Sequence, residues 1–337
     1  MTFSIRRGVN ISHWLSQSEA RGRKRQAWFR QPDMKRLREL GFDHVRLPID
    51  EEQMYTESGS RENEAFDLLN AALDWAHESD MRVIIDLHIL RSHYFQDESP
   101  PLFTDPVAAN HLADVWRDLS NAFNSRPVTE VAYEILNEPA APKNADWNRV
   151  SKIAYDAIRS KEANRVIVLG SNEANQAKTF DALEVPANDP NMVLSFHHYH
   201  PMPLTHYRAG WTKHQETYDG PVHYPGWSLT QEDLERVPPA DRAHYEKVNE
   251  SYDRTSIIAA FAKPLAVRER TGLQLHCGEF GCIKLAPEEP RKRWYRDMVA
   301  AFDELNIAWT AWDWRGSFAV VDEDGQPTVA YRGLFGE

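Results

Sequence analysis

Short, almost purely apolar stretches recur along the chain and constrain its fold more than any other feature. Two of them read VIIDL and VIVLG, at residues 83–87 and 166–170. A strand that is buried on both faces of a parallel sheet has this composition, whereas a strand with one solvent-exposed face alternates apolar and polar residues. The pattern therefore predicts a parallel sheet that is covered on both sides.

Eight short stretches, several of them nearly continuous in apolar residues, are predicted strands, and they lie at residues 7–11, 44–47, 82–87, 131–136, 165–169, 192–196, 273–277 and 307–311. Amphipathic patterns between them predict helices at 33–40, 63–79, 106–124 and 146–161. Eight strands alternating with helices predict a (β/α)8 barrel, which we expect to form one domain over residues 1–337. The alternative, a doubly wound sheet, usually carries a glycine-rich phosphate turn that this sequence lacks.

Two segments depart from the regular alternation. After the sixth strand, the next convincing helical pattern begins only near Asp241, and the intervening stretch is rich in Pro, Gly and aromatic residues. Loops of this length in a compact domain are usually functional. After the eighth strand, Asp324–Gly325 predicts a hairpin turn, and little chain is left for a final helix.

Charge and composition exclude some classes of partner. The chain carries 39 Lys and Arg against 51 Asp and Glu, for a net charge of −12, so it has no basic excess with which to neutralise nucleic-acid phosphates. It contains no apolar run of about 18 residues, which argues against a membrane span. The N-terminus has neither an apolar core nor a cleavage signature. We therefore expect a cytoplasmic protein, or a secreted one whose signal has been removed.

Polar side chains follow the predicted strands where a barrel places its active site. Two glutamates, Glu138 and Glu279, come directly after the fourth and seventh strands. Arg, His, Asn, Tyr and Trp residues stand at the other strand ends. Paired carboxylates beside aromatic side chains are typical of enzymes that cleave glycosidic bonds. The sequence contains only two cysteines, Cys277 and Cys282, and we expect both to be free thiols.

Seven segments carry a family resemblance, and in chain order they read RGVNISHWL, HVRLPI, IIDLH, YEILNEP, FHHYHP, CGEFG and WTAWDW. In this order and at strand ends they resemble glycoside hydrolase family 5, which includes many cellulases. The resemblance runs from about Gly8 to Gly325. It implies a (β/α)8 barrel, hydrolysis with retention of anomeric configuration, an oligo- or polysaccharide substrate and no cofactor.

The resemblance also implies roles for particular residues. Glu138 corresponds to the general acid/base and Glu279 to the nucleophile. Asn137 corresponds to the residue that contacts the sugar 2-hydroxyl, and Arg46 to the arginine that keeps the nucleophile ionised. The remaining positions that the motifs cover are polar or aromatic supports of the substrate, at His88, His197, Tyr199 and Trp312.

These roles require opposite pKa shifts for the two glutamates. We expect Arg46 and the Tyr199 hydroxyl to hold the pKa of Glu279 down, since a nucleophile must be charged. Burial and a neighbouring carboxylate should raise the pKa of Glu138, since an acid must be protonated before the first step. A retaining mechanism predicts carboxyl groups about 5–5.5 Å apart.

Some substrate contacts and the identity of the glycan stay open. Asn10, His13 and His93 are further candidates for sugar binding, and the segment Ile89–Tyr94 departs from the family pattern. The loop after the sixth strand is either one wall of an open cleft, with Trp211 and Trp227 as sugar platforms, or a lid that makes the enzyme exo-acting. A β-1,4-glucan is the favoured substrate, and β-1,3-glucan, mannan and short glycosides are alternatives.

Two further alternatives concern the class of protein. His88, His197, His198 and His200 could suggest a metal site, but strand alternation sends residues 197 and 198 to opposite faces, so we predict no metal. A non-catalytic carbohydrate-binding barrel is the other alternative, and the presence of every expected catalytic residue argues against it. Most tryptophans, including Trp14, Trp116, Trp147 and Trp294, are expected to pack in the core. We expect a monomer.

Overall fold

Eight parallel strands close into a barrel in the computed structural model, which describes residues 2–336. The barrel strands are β1 (Arg7–Asn10), β2 (His44–Asp50), β3 (Arg82–Ile89), β4 (Val131–Glu134), β5 (Val166–Gly170), β6 (Met192–His198), β9 (Gln274–Phe280) and β10 (Ala308–Ala311). A separate antiparallel pair is formed by β7 (Gly226–Trp227) and β8 (Ser251–Tyr252). The predicted (β/α)8 barrel is confirmed, and so are all eight of its predicted strands.

The chain forms two compact units. The first comprises the chain up to His197 together with Lys263–Gly278 and Ala308–Thr310, and it contains most of every barrel strand. The second comprises His198–Ala262, Glu279–Ile307 and the chain from Ala311 onward. The organisation of residues 1–337 as one domain stays a prediction.

Helices of the first unit surround the barrel strands. They are α1 (Arg23–Trp28), α2 (Gln31–Glu39), α3 (Glu51–Met54), α4 (Asn63–Glu78), α5 (Pro106–Phe123), α6 (Asn144–Arg159), α7 (Asn172–Asn175) and nearly all of α12 (Ala262–Thr271), with 3-10 turns at Pro101–Phe103 and Ala177–Ala182. In α5, the side chain of Asp105 accepts a hydrogen bond from the Val107 amide, and Pro106 occupies the first turn. The four helices predicted from periodicity correspond to α2, α4, α5 and α6.

Two buried tryptophans join helices to the strand ends by hydrogen bonds. The indole of Trp116 in α5 donates to the carbonyl of Ile135 at 2.9 Å. The indole of Trp147 in α6 donates to the carbonyl of Gly170 at 2.8 Å. Trp14 and Trp294 are also buried. A buried indole N–H needs an acceptor, and these contacts confirm that the helix tryptophans serve packing.

The second unit is more helical than the sequence pattern predicts. Its elements besides β7 and β8 are α8 (Met202–Thr205), α9 (Gln231–Arg236), α10 (Arg242–Val248), α11 (Arg254–Ala260), α13 (Glu288–Leu305) and α14 (Val329–Phe335), with a 3-10 turn at Gln215–Thr217. The prediction that no helix precedes Asp241 in this stretch is wrong, because α8 and α9 do. With four and six residues, α8 and α9 are too short to show a helical period.

The C-terminal segment corrects a second expectation. A turn at Gly325, with φ of 76°, is present, and Val321 pairs with Pro327 across it. However, α14 follows this turn, so the expectation that little chain remains for a final helix is wrong. None of the described helices combines the length and apolar character that a membrane crossing requires.

Candidate active site

Alternation along the strands places apolar and polar layers inside the barrel of the first unit. The apolar cluster contains Ile84, Ala132, Val166, Val168, Val193 and Ala308, with Phe3 and Ile5 from the N-terminal segment. Two residues beyond Ile84 and Ala132 along their strands stand Asp86 and Glu134, both fully buried. Barrel interiors are usually filled with branched apolar residues, so this polar layer indicates a functional end.

Arg46 organises the polar layer. Its Nε lies 2.7 Å from Oε2 of Glu134 and its Nη2 lies 3.0 Å from Oδ2 of Asp86, and all three side chains are inaccessible to solvent. Its Nη2 also donates to Oδ1 of Asn137 at 2.9 Å. Burial raises the pKa of Asp86 to about 7, although Arg46 opposes the shift. With Oδ1 held by Arg46, the amide nitrogen is the part of Asn137 suited to donate to a sugar.

Asn10 uses both ends of its amide within the protein. Its Oδ1 accepts from Nη1 of Arg46 at 3.0 Å, and its Nδ2 donates to the carbonyl of Gly278 at 3.1 Å. Its exposed fraction is 0%. These contacts hold Arg46 and the end of β9 together through Asn10, and a sugar contact by Asn10 stays a prediction.

Glu138 follows β4 in a left-handed backbone conformation, with φ of 44°. Its side chain is 15% exposed, and its Oε1 lies 2.8 Å from Nδ1 of His197. The Nδ2 of Asn175 lies 3.3 Å from Nε2 of His197. An amide that donates to Nε2 leaves the ring proton on Nδ1, so His197 donates to Glu138.

The environment of Glu138 favours its protonated form. Burial raises the pKa of Glu138 to about 7, Arg46 lowers it, and the carboxylate of Glu134 raises it. This result confirms the expectation that burial and a neighbouring carboxylate would raise this pKa. A carboxyl group of this kind can donate a proton near neutral pH.

Three other histidines of the first unit were candidates for sugar binding, and the structure shows the surroundings of each. His88 Nδ1 lies 2.7 Å from Oδ2 of Asp86, with its ring edge-on to Phe95. His13 has φ of 55°, and its Nδ1 lies 3.4 Å from the carbonyl of Gln17. His93 is 1% exposed, and its role in sugar binding stays a prediction.

Glu279 lies in the second unit, next to last in β9, and is 5% exposed. The hydroxyl of Tyr199 donates to its Oε2 at 2.9 Å, as the sequence predicts. A hydrogen bond to a carboxylate stabilises the charged form. Tyr199 follows β6 and contacts the rings of His206 and Phe318, with centroids 5.2 and 6.1 Å away.

Trp312 follows β10 and is tied to the end of β9. Its backbone amide donates to the carbonyl of Phe280 at 2.9 Å, and 8% of the residue is exposed. A Cβ on Gly281 would lie 2.6 Å from the Trp312 carbonyl oxygen. The second glycine of the GEFG segment is therefore required by the close approach of Trp312.

An aromatic cluster of Tyr199, His206, Trp211 and Phe318 extends outward from Glu279 within the second unit. The ring of Trp211 lies 6.1 Å from Phe318 and 6.4 Å from His206, and 45% of Trp211 is exposed. The sequence analysis missed His206 and Phe318, because neither stands in a recognisable motif. Trp227 is 59% exposed on the β7–β8 pair.

His197, one of the four histidines that could suggest a metal site, lies against Glu138. Of the other histidines, His198 has its Nε2 2.9 Å from the Tyr252 hydroxyl, and His200 has its Nδ1 3.0 Å from Oε1 of Glu250. His197 and His198 thus face different surroundings, as strand alternation requires. The absence of a metal and of any cofactor stays a prediction.

A (β/α)8 barrel with one glutamate bonded to histidine and another bonded to tyrosine at the strand ends defines a class of enzymes that act on glycosidic bonds. The sequence profile of the cellulase family, glycosyl hydrolase family 5, matches residues 11–317. The chain therefore belongs to this family and is a glycoside hydrolase.

Relatives agree with the family assignment, and solved structures share the fold. Endoglucanase C of Acetivibrio thermocellus is 28% identical over 330 residues, which cover 96% of this chain and 95% of the relative. Cellodextrinase A of Ruminococcus flavefaciens is 26% identical over 90% of this chain and 84% of its own length. The structure of a hyperthermophilic endo-β-1,4-glucanase in complex with substrate superposes with a TM-score of 0.78 at 21% identity, over 99% of this chain and 97% of the other.

Proposed function

We propose that this protein is an endo-β-1,4-glucanase that hydrolyses its substrate with retention of configuration. The observation that carries the proposal is that two glutamates at barrel strand ends have different partners. His197 bonds to Glu138, whose pKa is raised, and Tyr199 bonds to Glu279. The names of the endoglucanase relatives support the choice of substrate.

In the first step, the Glu279 carboxylate attacks the anomeric carbon while the bond from that carbon to the bridging oxygen breaks. The leaving oxygen takes the proton of Glu138. In the second step, Glu138 removes a proton from water, and the resulting oxygen nucleophile displaces Glu279 from the anomeric carbon. Glu138 ends protonated and Glu279 ends charged, so both are ready for another cycle.

The supporting residues hold the sugar and the two carboxylates. Asn137, oriented by Arg46, donates to the 2-hydroxyl, and Trp312 lies under the reacting sugar. His88, which lies near the end of β3, contributes a polar contact to the sugar. Arg46 helps to keep Glu279 ionised.

The aromatic cluster around Trp211 supplies a sugar platform in line with Tyr199. An exposed indole packed on other rings keeps one face for a sugar, and Trp211 satisfies this description. Trp227 and His13 are further candidates for contact with the sugar. The names of the endoglucanase relatives favour internal cleavage, so we propose that the loop after β6 is one wall of an open cleft and that the enzyme is a single-domain monomer.

An exo-acting enzyme on short β-1,4-linked oligosaccharides is the second candidate, because cellodextrinase A is among the relatives. The two candidates are separated by the products formed early from a long soluble β-1,4-glucan. Internal cleavage lowers viscosity steeply before much reducing sugar appears, whereas release from one end leaves viscosity nearly constant. Parallel assays on β-1,3-glucan and mannan test the linkage and the sugar.

The catalytic assignment has its own test. Glu279→Gln should abolish hydrolysis of an aryl β-cellobioside, and hydrolysis at the wild-type rate would exclude Glu279 as the nucleophile. The matched control is Glu162→Gln, which alters a buried glutamate paired with Arg165 elsewhere in the first unit.

A further inference from the structure

Three rings lie in a row at the end of β3 and lead from the buried site to the surface of the first unit. The ring of Phe95 is edge-on to that of His88, with centroids 5.7 Å apart. The ring of Tyr94 packs on Phe95 at 4.6 Å, with an interplanar angle of 48°. His88 is buried, Phe95 is half-buried, and 37% of Tyr94 is exposed. The row therefore begins at a polar residue of the site and ends at a ring that a ligand can reach.

Tyr94 differs from the other tyrosines in its exposure. Of the tyrosines that the structure describes, it is the most exposed, and most of the others are buried. An aromatic ring that packs on a second ring with one side and meets solvent with the other keeps a flat apolar face for a ligand. Tyr94 satisfies this description, because Phe95 supports it from the side of the strand end.

The segment that carries Tyr94 is held firmly. Leu90 and His93 exchange two backbone hydrogen bonds of 3.0 Å. The guanidinium of Arg91 lies 2.6 Å from Oε1 of Glu51, and its backbone amide donates to Oε2 of the same carboxylate at 2.9 Å. Glu51 is buried. A ring on a fixed segment loses little conformational entropy when a ligand binds, so more of its contact energy appears as affinity.

The phenol of Tyr94 is a hydrogen-bond donor at the pH at which the enzyme would work. Burial raises the pKa of Tyr94, and nearby carboxylates, Glu138 among them, raise it further. The hydroxyl therefore keeps its proton, and it is also able to accept. A tyrosine of this kind offers an apolar face and a polar edge, which matches the surface of a sugar ring.

We infer that Tyr94 is a specificity-determining residue that binds the sugar unit next to the one held at His88. Its ring, supported by Phe95, packs against the C–H face of that unit, and its hydroxyl bonds to one of the unit's hydroxyls. This inference rests on the proposed function, because the ligand is the β-1,4-glucan named there. It also gives the departure of Ile89–Tyr94 from the family pattern a consequence, since this segment brings an aromatic ring to the β3 side of the site.

The test compares substrates that contain different numbers of sugars. Tyr94→Ala should raise the KM for cellopentaose about 10-fold, as expected for loss of an aromatic contact. The KM for an aryl β-glucoside, which contains only the reacting sugar, should change less than about 2-fold. The ratio of products from cellopentaose should also change, because loss of one binding position alters which bond lies at the site of cleavage. A purely structural role of Tyr94 would leave that ratio unchanged.

Conservative variants and a matched control sharpen the result. Tyr94→Phe and Tyr94→Trp keep a ring at this position, so both should retain most of the affinity for cellopentaose. Tyr155→Ala makes the same change at a half-exposed tyrosine of α6 and should alter neither KM. Equal rises in KM on both substrates, or an unchanged KM and product ratio for cellopentaose, would overturn the inference. If the wild type failed to cleave cellopentaose, the proposed function itself would be refuted, and the inference with it.

Discussion

Glu134 accepts two hydrogen bonds from Arg46, with Nε to Oε2 at 2.7 Å and Nη2 to Oε1 at 3.2 Å, in a fully buried pair. The pair controls more than stability, because both groups act on Glu138. The carboxylate of Glu134 raises the pKa of Glu138 and the guanidinium of Arg46 lowers it. This buried ion pair at the end of β4 therefore sets the balance of charge around Glu138, the proposed acid.

Glu134→Gln should shift the pH dependence of catalysis. The variant removes a carboxylate that raises the pKa of Glu138 and leaves Arg46 less neutralised, so this pKa should fall. The alkaline limb of kcat/KM, expected near pH 7 in the wild type, should move to lower pH by about 0.5–1 unit. Glu162→Gln removes a buried carboxylate from a different ion pair and should leave the limb in place. A limb that moves to higher pH in Glu134→Gln would contradict the account.

Glu138→Gln should change stability in a pH-dependent manner. The pKa of Glu138 is raised on folding from 4.5 to about 7, so the folded protein binds this proton more tightly than the unfolded chain. The wild type therefore loses stability as pH rises from about 4.5 to 7. Glutamine cannot ionise, so the variant should gain in Tm relative to the wild type, by roughly 2–4 °C at pH 8 and much less at pH 4.5. A constant difference across this range would argue against the pKa shift.

Tyr199→Phe tests the hydrogen bond to Glu279. The hydroxyl donates to Oε2 at 2.9 Å, and a hydrogen bond to a charged group contributes about 1.5–3 kcal/mol. We expect kcat/KM on an aryl β-cellobioside to fall roughly 10- to 100-fold, with the phenyl ring kept in contact with Phe318. Thermal unfolding of the variant serves as the control, and an unchanged rate would remove Tyr199 from the mechanism.

Trp211→Ala should affect long substrates more than short ones. Trp211 lies beyond Tyr199 in the aromatic cluster, so we expect the KM for a long soluble β-1,4-glucan to rise about 10-fold, as loss of one aromatic platform of about 1–1.5 kcal/mol implies. The rate on an aryl β-glucoside should be unaffected. Trp227→Ala makes the same substitution at the other exposed tryptophan and tells whether its site also binds the chain of sugars. If Trp211→Ala weakened the reaction of the long glucan and of the aryl β-glucoside equally, Trp211 would not be a platform for a sugar beyond the reacting one.

The sequence predicted the barrel well because its signal is local and repeated. Apolar runs such as 166–170 and strand-end motifs such as that of Glu138 can be recognised without tertiary information. Several contacts that depend on the folded chain were not predictable. His206 and Phe318 stand in no motif, and the hydrogen bonds of the Asn10 amide to Arg46 and Gly278 join residues that are far apart in sequence.

Short elements were predicted least well. The helices α9 and α14 have six and seven residues, so neither shows two full periods of apolar residues. In α9, a capping box between Thr230 and Asp233 defines the start. That signal was present in the sequence, and it could have located the helix.

The most direct test of the central claim is to trap the glycosyl-enzyme and map the modified residue. A 2-deoxy-2-fluoro β-cellobioside with a dinitrophenyl leaving group slows the second step more than the first, so the covalent intermediate accumulates. Peptide mapping by mass spectrometry should find the sugar on Glu279 and nowhere else, with no labelling in Glu279→Gln. A label on another carboxylate, or turnover without any covalent intermediate, would contradict the account.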